Sequence, residues 1–406
     1  MPDTKHLLLV VPLALAAALH AGDTAPVSSF DDALARGKLS LSSRVRWEYA
    51  DQPNLKASDA FTARTAFGFT SAVVDGFQLM AEAENITSLG TADRYNAAGT
   101  NAGGAGRTVI ADPPGTALNQ AWLSYAAYGA TLEAGRQRLV WDNARFVGDS
   151  GWRQNMQTFD AASLAVPLSS DFSFTYAYSW RVSRVFGNKA PQPDFTGDIH
   201  LVNAGYTGWK AGKLTAYAYL LDLDNSAANS SDTFGASFAG AAPVGSALKV
   251  NYRLEYATQQ DAGRNPVHYR AGYYLAELGV GSKSVNLTGG WEVLGSDSGR
   301  KGFATPLATL HAFNGWADVF LATPARGLRD AYVSAGVTFA GGFPAKVVFH
   351  DFASDLDGVD YGREWDALVS HKIGNHWNVL AKVARYEAGG PYFDTTRYWL
   401  QCEYSL

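Results

Sequence analysis

The stretch "KLSLSSRVRWEY", residues 38–49, decides the fold. Its apolar side chains, such as Leu39 and Trp47, alternate with polar ones, such as Arg44 and Arg46. Successive side chains of a β-strand point to opposite faces, so a period of two predicts a strand with one apolar face and one charged face. A strand of this kind lies between an apolar environment and a polar one.

The same alternation recurs along the chain, for instance in "FTARTAFGFTSA" (61–72), "GFQLMAEAENI" (76–86) and "LKVNYRLEYA" (248–257). It predicts about eighteen strands joined alternately by short turns and long loops, a layout typical of outer-membrane barrels. A soluble sandwich would also alternate, but it has no reason to sort its loops by length in this way. We therefore predict an all-β fold: a transmembrane antiparallel β-barrel over residues 39–406, with short periplasmic turns and long extracellular loops.

Composition agrees with a barrel. The 406 residues are 13% aromatic and only 17% charged, and they include 41 glycines. Beyond the N-terminus there is no apolar run of about 18 residues, the length that a spanning helix needs. A membrane span must then be β, because hydrocarbon offers no partner for unpaired backbone groups. The net charge of -5 excludes a globally basic nucleic-acid binder, and the single cysteine, Cys402, can form no internal disulfide.

The N-terminus predicts export. Lys5 and His6 precede the apolar run "LLLVVPLALAAAL" (7–19), which small residues follow. This is typical of a secretory signal peptide, here residues 1–21 with cleavage between 18 and 25, followed by a short periplasmic segment, 22–38. With the barrel it predicts the bacterial outer membrane. The expected partners are the lipid bilayer with its lipopolysaccharide and the barrel-assembly machinery, and no nucleic acid.

The polar face of the strands should line the lumen of the barrel. An eighteen-stranded barrel is wide enough for a water-filled channel, and a guanidinium can hold a carboxylate through two hydrogen bonds. Positive side chains on this face therefore favour a passage for anions. The inward cations predicted from the alternation are Arg44, Arg46, Arg64, Arg181, Lys249, Arg253, Arg270 and Arg397.

One long connection carries paired charges and tryptophans instead of strand alternation. The segment "LEAGRQRLVWDNARFVGDSGWRQNMQTFDAA" (132–162) leaves the predicted fifth strand and returns as the sixth. We expect it to fold back into the mouth of the barrel, where its side chains can pair across the lumen. Its charged candidates for contact with the solute are Arg136, Asp142, Arg145, Arg153 and Asp160.

Two segments resemble the alginate-export family of outer-membrane channels. "GRQRLVWDNARFVGDSGWRQNMQTFDA" (135–161) is similar to a segment in which G-R-Q, D-(N/D)-x-R-F-V-G, W-R-Q and T-F-D-A recur, and "GFATPLATLHAFNGWADVFLATPARGLRDAYV" (302–333) is similar to a second signature of that family. The resemblance implies an arginine-lined passage for an acidic polysaccharide, a uronate oligomer or another small anion. The positions that match are Arg136, Gln137, Asp142, Arg145, Trp152, Arg153, Gln154, Asp160, His311, Trp316 and Asp318.

The second segment also carries a helix signal. Thr305 is a suitable N-cap and Pro306 suits the first helical position, so we predict a short helix there. The apolar Trp316 and Phe320 favour burial of the segment in the lumen, as a constriction that includes His311, Trp316 and Asp318. The alternative is an extracellular cap packed on neighbouring loops.

Other functions also fit the sequence. A general or small-substrate porin is the main alternative, while a structural barrel or an outer-membrane enzyme fits the sequence less well. The only adjacent His/Asp pair, His350–Asp351, would point to opposite faces of a strand, so we expect no enzyme. We expect no cofactor and no metal site, with calcium at Asp355, Asp357 and Asp360 of "DLDGVD" as a weak alternative.

Overall fold

The computed structural model describes Val27, residues 29–90 and residues 92–406, in which eighteen antiparallel strands form one closed sheet. The strands are β1 (Lys38–Asp51), β2 (Ser58–Thr70), β3 (Phe77–Ser88), β4 (Gly115–Ala127), β5 (Ala130–Gln137), β6 (Thr158–Pro167), β7 (Phe172–Ser183), β8 (Asp194–Tyr206), β9 (Lys213–Leu223), β10 (Ser231–Val244), β11 (Leu248–Asp261), β12 (Arg270–Gly281), β13 (Val285–Leu294), β14 (Leu328–Phe339), β15 (Phe343–Ala353), β16 (Asp360–Ile373), β17 (Trp377–Ala388) and β18 (Thr395–Ser405). One helix, α1 (Phe30–Ala35), precedes β1.

The sheet closes because β18 pairs with both β17 and β1, with Ser42 opposite Ser405 and Trp47 opposite Leu400. Closure leaves no strand edge without hydrogen-bond partners, which is the condition for crossing hydrocarbon with strands. The predicted barrel is confirmed. Among the described residues, no helix is both long enough and apolar enough to span a membrane.

The two faces of the wall follow the sequence alternation. Outward side chains such as Phe67, Leu254 and Leu400 are each more than half exposed on the isolated chain, as expected for residues that face lipid. On the inner face, Arg46 and Glu48 are almost fully buried. Because bulk lumen water would leave such charges exposed, protein must cover them.

The covering protein comes from long connections on the extracellular side. Residues 138–157, between β5 and β6, and residues 295–327, between β13 and β14, contain almost no regular structure. Phe146 of the first packs against Tyr217 and Tyr273 on the wall and against Phe303 of the second, with ring centroids 5.2 to 5.9 Å apart. Both loops therefore fold inside the barrel.

The structure describes only part of the N-terminal region. The signal peptide lies outside the described residues and stays a prediction. The periplasmic segment ends in α1, which Ser29 caps by accepting a hydrogen bond from the Asp32 N–H. The Ala33 carbonyl accepts from the N–H of Ala72, in the turn between β2 and β3, so α1 is held at the periplasmic rim.

Candidate functional site

Arg145 anchors loop 138–157 to the opposite wall. Its buried guanidinium donates from Nε to Glu292 Oε1 on β13 at 2.6 Å, and from Nη2 to Asn314 Oδ1 in loop 295–327 at 3.0 Å. Burial alone would lower the pKa of Arg145 because it disfavours a charged guanidinium. The negative charge of Glu292 outweighs that effect and keeps the pKa of Arg145 above its usual value. Arg145 is therefore a buried tie between loop and wall.

The two loops also bind each other through their backbones. The N–H of Gly148 donates to Leu307 O at 2.9 Å, and the N–H of Thr309 donates to Ala144 O at 3.0 Å. Gln157 Nε2 adds a hydrogen bond to Leu307 O at 2.9 Å. Backbone groups buried in a barrel need such partners, so each loop supplies what the other lacks.

Loop 295–327 is fixed to the wall by carboxylates of β16. The N–H of Ala317 donates to Glu364 Oε1 at 2.6 Å, and the N–H of Trp316 donates to Asp366 Oδ2 at 3.2 Å. Gly315, with φ +85°, lies so close to the Glu364 carboxylate that a Cβ there would clash with it. Only glycine combines this left-handed conformation with such a close approach.

The helix predicted at Thr305 and Pro306 is wrong. The segment contains only a 3₁₀ turn, Leu310–Ala312. Within the stretch, the Thr309 N–H donates to Ala144 O and Leu307 O accepts the Gly148 N–H, so loop 138–157 replaces the partners that a helix would supply, and the left-handed Asn314 and Gly315 follow. The predicted position inside the lumen agrees with the structure.

Glu48 is the centre of an ion-pair cluster where the loops meet β1 and β18. Arg153 Nη1 lies 3.2 Å from Glu48 Oε2, and Arg397 Nη1 lies 3.1 Å from Glu48 Oε1. Arg153 also reaches Asp318 Oδ2 at 3.4 Å, which ties loop 138–157 to loop 295–327. One wall carboxylate thus holds cations from both a loop and a strand.

Asp112, in the connection between β3 and β4, completes this cluster. Its Oδ2 lies 3.5 Å from Arg46 Nη1 and 3.7 Å from Arg153 Nη1, and its Oδ1 accepts the Gln154 N–H at 2.8 Å. We call Arg46, Arg153, Arg397, Glu48, Asp112 and Asp318 the arginine cluster. Its three cations and three carboxylates are all nearly buried.

Tryptophans cover the cluster and surround a lysine. Trp152 lies 4.2 Å from the Arg46 guanidinium carbon. The ammonium of Lys382, on β17, lies 4.1 Å from the ring centre of Trp152, 3.8 Å from that of Trp316 and 5.1 Å from that of Trp399. Aromatic faces attract cations, so this cage lowers the cost of burying the ammonium.

His311 links Lys382 to the arginine cluster. Its Nδ1 lies 2.7 Å from Asp318 Oδ1 and its Nε2 lies 2.6 Å from Lys382 Nζ, while its ring stacks on Trp152 at 4.8 Å. With Lys382 as the donor, the ring is neutral, donates from Nδ1 to Asp318 and accepts at Nε2 from Lys382. Burial, reinforced by Lys382 and Arg153, lowers the pKa of His311 to about 3, whereas His311, Arg397 and Arg153 hold the pKa of Asp318 below its usual range against the effect of burial.

Docking of loop 295–327 should therefore weaken in acid. An undocked His311 takes up a proton near pH 6.5, whereas the docked ring stays neutral down to about pH 3. Docking is then strongest above pH 6.5 and loses roughly 2 kcal/mol by about pH 5. Limited proteolysis should cut the loop faster at about pH 5 than at about pH 7.5, and His311→Gln should reduce that difference. An equal acceleration in both proteins would contradict this role of His311.

Some buried polar atoms at this junction have no hydrogen-bond partner among the described residues. Three are donors, namely Arg44 Nε, Trp152 Nε1 and Trp399 Nε1, and one is an acceptor, Gln154 Oε1. Two further acceptors without a partner, Glu364 Oε2 and Asp366 Oδ1, lie on β16, the strand that holds loop 295–327. Among the described residues, the junction therefore holds unpartnered donors and acceptors in equal number, three of each.

Three other predicted lumen cations, Arg44, Arg64 and Arg253, line the inner wall, and each has a carboxylate partner. Arg44 Nη2 lies 3.3 Å from Glu403 Oε1, and Arg64 Nε lies 3.0 Å from Glu84 Oε2. Arg253 Nη2 lies 2.5 Å from Asp142 Oδ2 and 2.8 Å from Glu255 Oε2. Asp142 therefore binds loop 138–157 to β11. Of these pairs, the Arg44–Glu403 pair is the least enclosed on its acidic side.

Four predicted site residues do not face the lumen. Arg136 and Asp160 pair at 2.6 Å on the side of β5 and β6 that carries the exposed Leu132.

Arg181 is the third. It lies beside the exposed Trp180, at an irregularity in the pairing of β7 with β8, and binds Asp194 at 2.6 Å. The bulge shifts the alternation, which places Val182 in the interior instead.

Arg270 is the fourth. It shares the outer face of β12 with Tyr274 and Leu278, both exposed. β12 does alternate, but its inward side chains are those of Ala271, Tyr273 and Leu275. Arg270 therefore points away from the lumen, at the extracellular end of the strand.

The three aspartates of the weak calcium alternative bind protein groups. Asp355 accepts the Ser296 N–H, Asp357 pairs with Arg326, and Asp360 accepts the Gly362 N–H. Within the described part of the chain, no group of three or more His, Cys, Asp or Glu side chains is placed to hold a metal ion.

Sequence reasoning missed three members of the site. Lys382 and Trp399 lie on the inward parity of β17 and β18, so the period of two could have found them. Asp112, in "IADPPG", carries no periodic signal, and only the fold brings it to Arg46 and Arg153.

Comparison with known proteins adds two findings. The family model described as alginate export matches residues 36–280, and no curated protein matches the chain. Among solved structures, the chain resembles OpdK of Pseudomonas aeruginosa with vanillate (16% identity over 92% of this chain and 99% of that one, TM-score 0.71). It also resembles OccAB4 of Acinetobacter baumannii (13%, 91% and 98%, 0.72) and OccK9 of P. aeruginosa (12%, 92% and 100%, 0.72). At these identities the likeness establishes the fold.

Proposed function

The chain belongs to the alginate-export family of outer-membrane channels, and from that premise we propose that its lumen passes carboxylate-bearing solutes, such as uronates and other small organic acids. Loops 138–157 and 295–327 form the constriction, and the arginine cluster lies where they meet the wall. The proposal covers the class of solute and leaves alginate itself as one member of it.

The free donors beside the arginine cluster carry this proposal. Arg44 Nε, Trp152 Nε1 and Trp399 Nε1 are buried N–H groups without protein acceptors, next to three guanidinium groups. A buried donor without an acceptor is costly, so the site favours an occupant rich in oxygen. Carboxylates and sugar hydroxyls supply acceptors for these donors.

The paired state of the arginines also fits transport. A channel must bind its solute strongly enough to admit it and weakly enough to release it. Because Glu48, Asp112 and Asp318 already neutralise the three arginines, an entering carboxylate exchanges with a protein carboxylate instead of meeting bare charge. Vanillate, the carboxylate with which the structure of OpdK was solved, is therefore a suitable probe.

Flux into proteoliposomes tests the proposal. Galacturonate and vanillate should enter faster than galactose, which is as large as galacturonate but has no carboxylate. Empty liposomes and liposomes with the Trp152→Phe variant, which lacks one free donor, are the controls, and the variant should narrow the difference between galacturonate and galactose. Equal rates for galactose and galacturonate through the wild-type protein would indicate a general porin.

A further inference from the structure

A cleft of about 530 Å³ opens at the extracellular rim of the barrel, away from the lumen site. It lies between the connection from β11 to β12 and the start of loop 295–327. Its lining consists of Gln260, Asp261, His268, Tyr269, Arg270, Asp297 and Arg300. Arg270 stands on the outer face of β12, so the cleft is open towards the surrounding membrane surface.

Two guanidinium groups in this cleft keep most of their donors free. Arg270 Nη2 donates to Gln260 Oε1 at 3.0 Å, and Arg300 Nη2 donates to Asp297 Oδ2 at 2.6 Å. An arginine side chain carries five N–H donors, and each of these two spends one on the neighbour named. The Arg300 side chain is 60% exposed.

The carboxylates of the cleft are already engaged. Asp297 accepts from Arg300 and from the Arg270 N–H at 3.2 Å, and the Arg300 hydrogen bond holds the pKa of Asp297 below its usual value. Asp261 accepts the Tyr269 N–H at 2.9 Å and pairs with His268 at 2.7 Å. Lys301, whose ammonium lies 5.8 Å from the Tyr269 ring, adds a third cation. Asp232, opposite Gln260, adds a third carboxyl, so the charges around the opening balance, and the free guanidinium donors are what the cleft offers to an anion.

The height of the cleft matches the lipid headgroups. Tyr256 and Tyr274 pack against each other on the outer wall, with ring centroids 5.2 Å apart, and are about half exposed. Tyrosines on a lipid-facing surface concentrate at the membrane interface. Arg270 lies four residues from Tyr274 towards the extracellular side, about 10 Å further out once the strand tilt is included. That is where phosphates of the outer leaflet are found.

From this geometry we infer that the cleft binds the phosphorylated sugar headgroup of lipopolysaccharide, with Arg270 and Arg300 contacting phosphate oxygens and Tyr256 and Tyr274 lying against the acyl chains below. Guanidinium groups bind phosphate through paired, charge-assisted hydrogen bonds. The site is independent of the proposed transport function, since none of its residues belongs to the arginine cluster.

Native mass spectrometry of the full chain in detergent tests this inference, with diphosphoryl lipid A as the probe. Arg270→Gln combined with Arg300→Gln should weaken lipid A binding by about tenfold. Arg363→Gln combined with Arg385→Gln removes the same charge from the outer face of β16 and β17, and it should leave binding unchanged. Equal losses in both double variants, or no loss in the first, would overturn the inference.

A second arm separates the lipid from free phosphate. Inorganic phosphate should compete with lipid A only weakly, because it makes no contact with the two tyrosines. Phosphate that displaces lipid A as effectively as a second lipid A molecule would show a simple anion site and overturn the lipid assignment. Tyr274→Ala should weaken lipid A binding without changing phosphate binding, and an unchanged lipid affinity would count against the proposal.

Discussion

Replacing residues 303–323 with a short glycine linker is expected to raise single-channel conductance severalfold. The segment carries Trp316, Phe320 and Asp318 into the lumen, and its removal empties the space that these side chains fill. The linker is short because Gly302 already lies against the carbonyl of Pro324. Planar-bilayer recording measures the effect.

Assembly should survive this deletion, because the strands that face lipid are untouched. Slower migration after boiling than before it on a gel would verify a folded barrel. A matched control shortens the exposed connection between β7 and β8 by removing residues 187–191, and it should leave conductance unchanged. A folded deletion variant with wild-type conductance would place the constriction elsewhere.

Replacing Arg46, Arg153 and Arg397 together with glutamine should make the channel select cations. The change leaves Glu48, Asp112 and Asp318 without their cationic partners, so three uncompensated carboxylates would line the constriction. The reversal potential in a KCl gradient should move towards the potassium equilibrium potential.

Two control variants separate the effect of the lost charge from the effect of its position. Lysine at the same three positions keeps the charge and should keep most of the wild-type selectivity, although it loses the paired hydrogen bonds. Glutamine at Arg270, Arg363 and Arg385 removes equal charge from the outer face and should change the reversal potential little. A wild-type reversal potential in the folded lumen variant would show that ions do not pass the arginine cluster.

The sequence predicted the barrel well because one physical constraint shapes every strand. Side chains such as Leu254 and Arg253 must face lipid and protein-filled lumen alternately, so a period of two survives in the primary structure. The alternation gave the correct face for Arg44, Arg46, Arg64, Arg253 and Arg397. It failed at Arg181, where a bulge inserts a residue, and at strand ends such as Arg270, where nothing local marks the register.

The site was less accessible to sequence reasoning because its contacts join distant segments. Asp112, Arg153 and Asp318 belong to three different loops and meet only when the barrel brings those loops inside. The helix signals at Thr305 and Pro306 are real local preferences, yet the backbone of Leu307 and Thr309 hydrogen bonds to loop 138–157 instead of within a helix. Tertiary hydrogen bonds overrode the local preference there.

The reversal potential of the wild-type channel in asymmetric potassium galacturonate tests the central claim most directly, because it compares an organic anion with a small cation in the same pore. If the passage favours carboxylates through the arginine cluster, the reversal potential should lie between zero and the galacturonate equilibrium potential. A potential at the potassium equilibrium value would contradict the account.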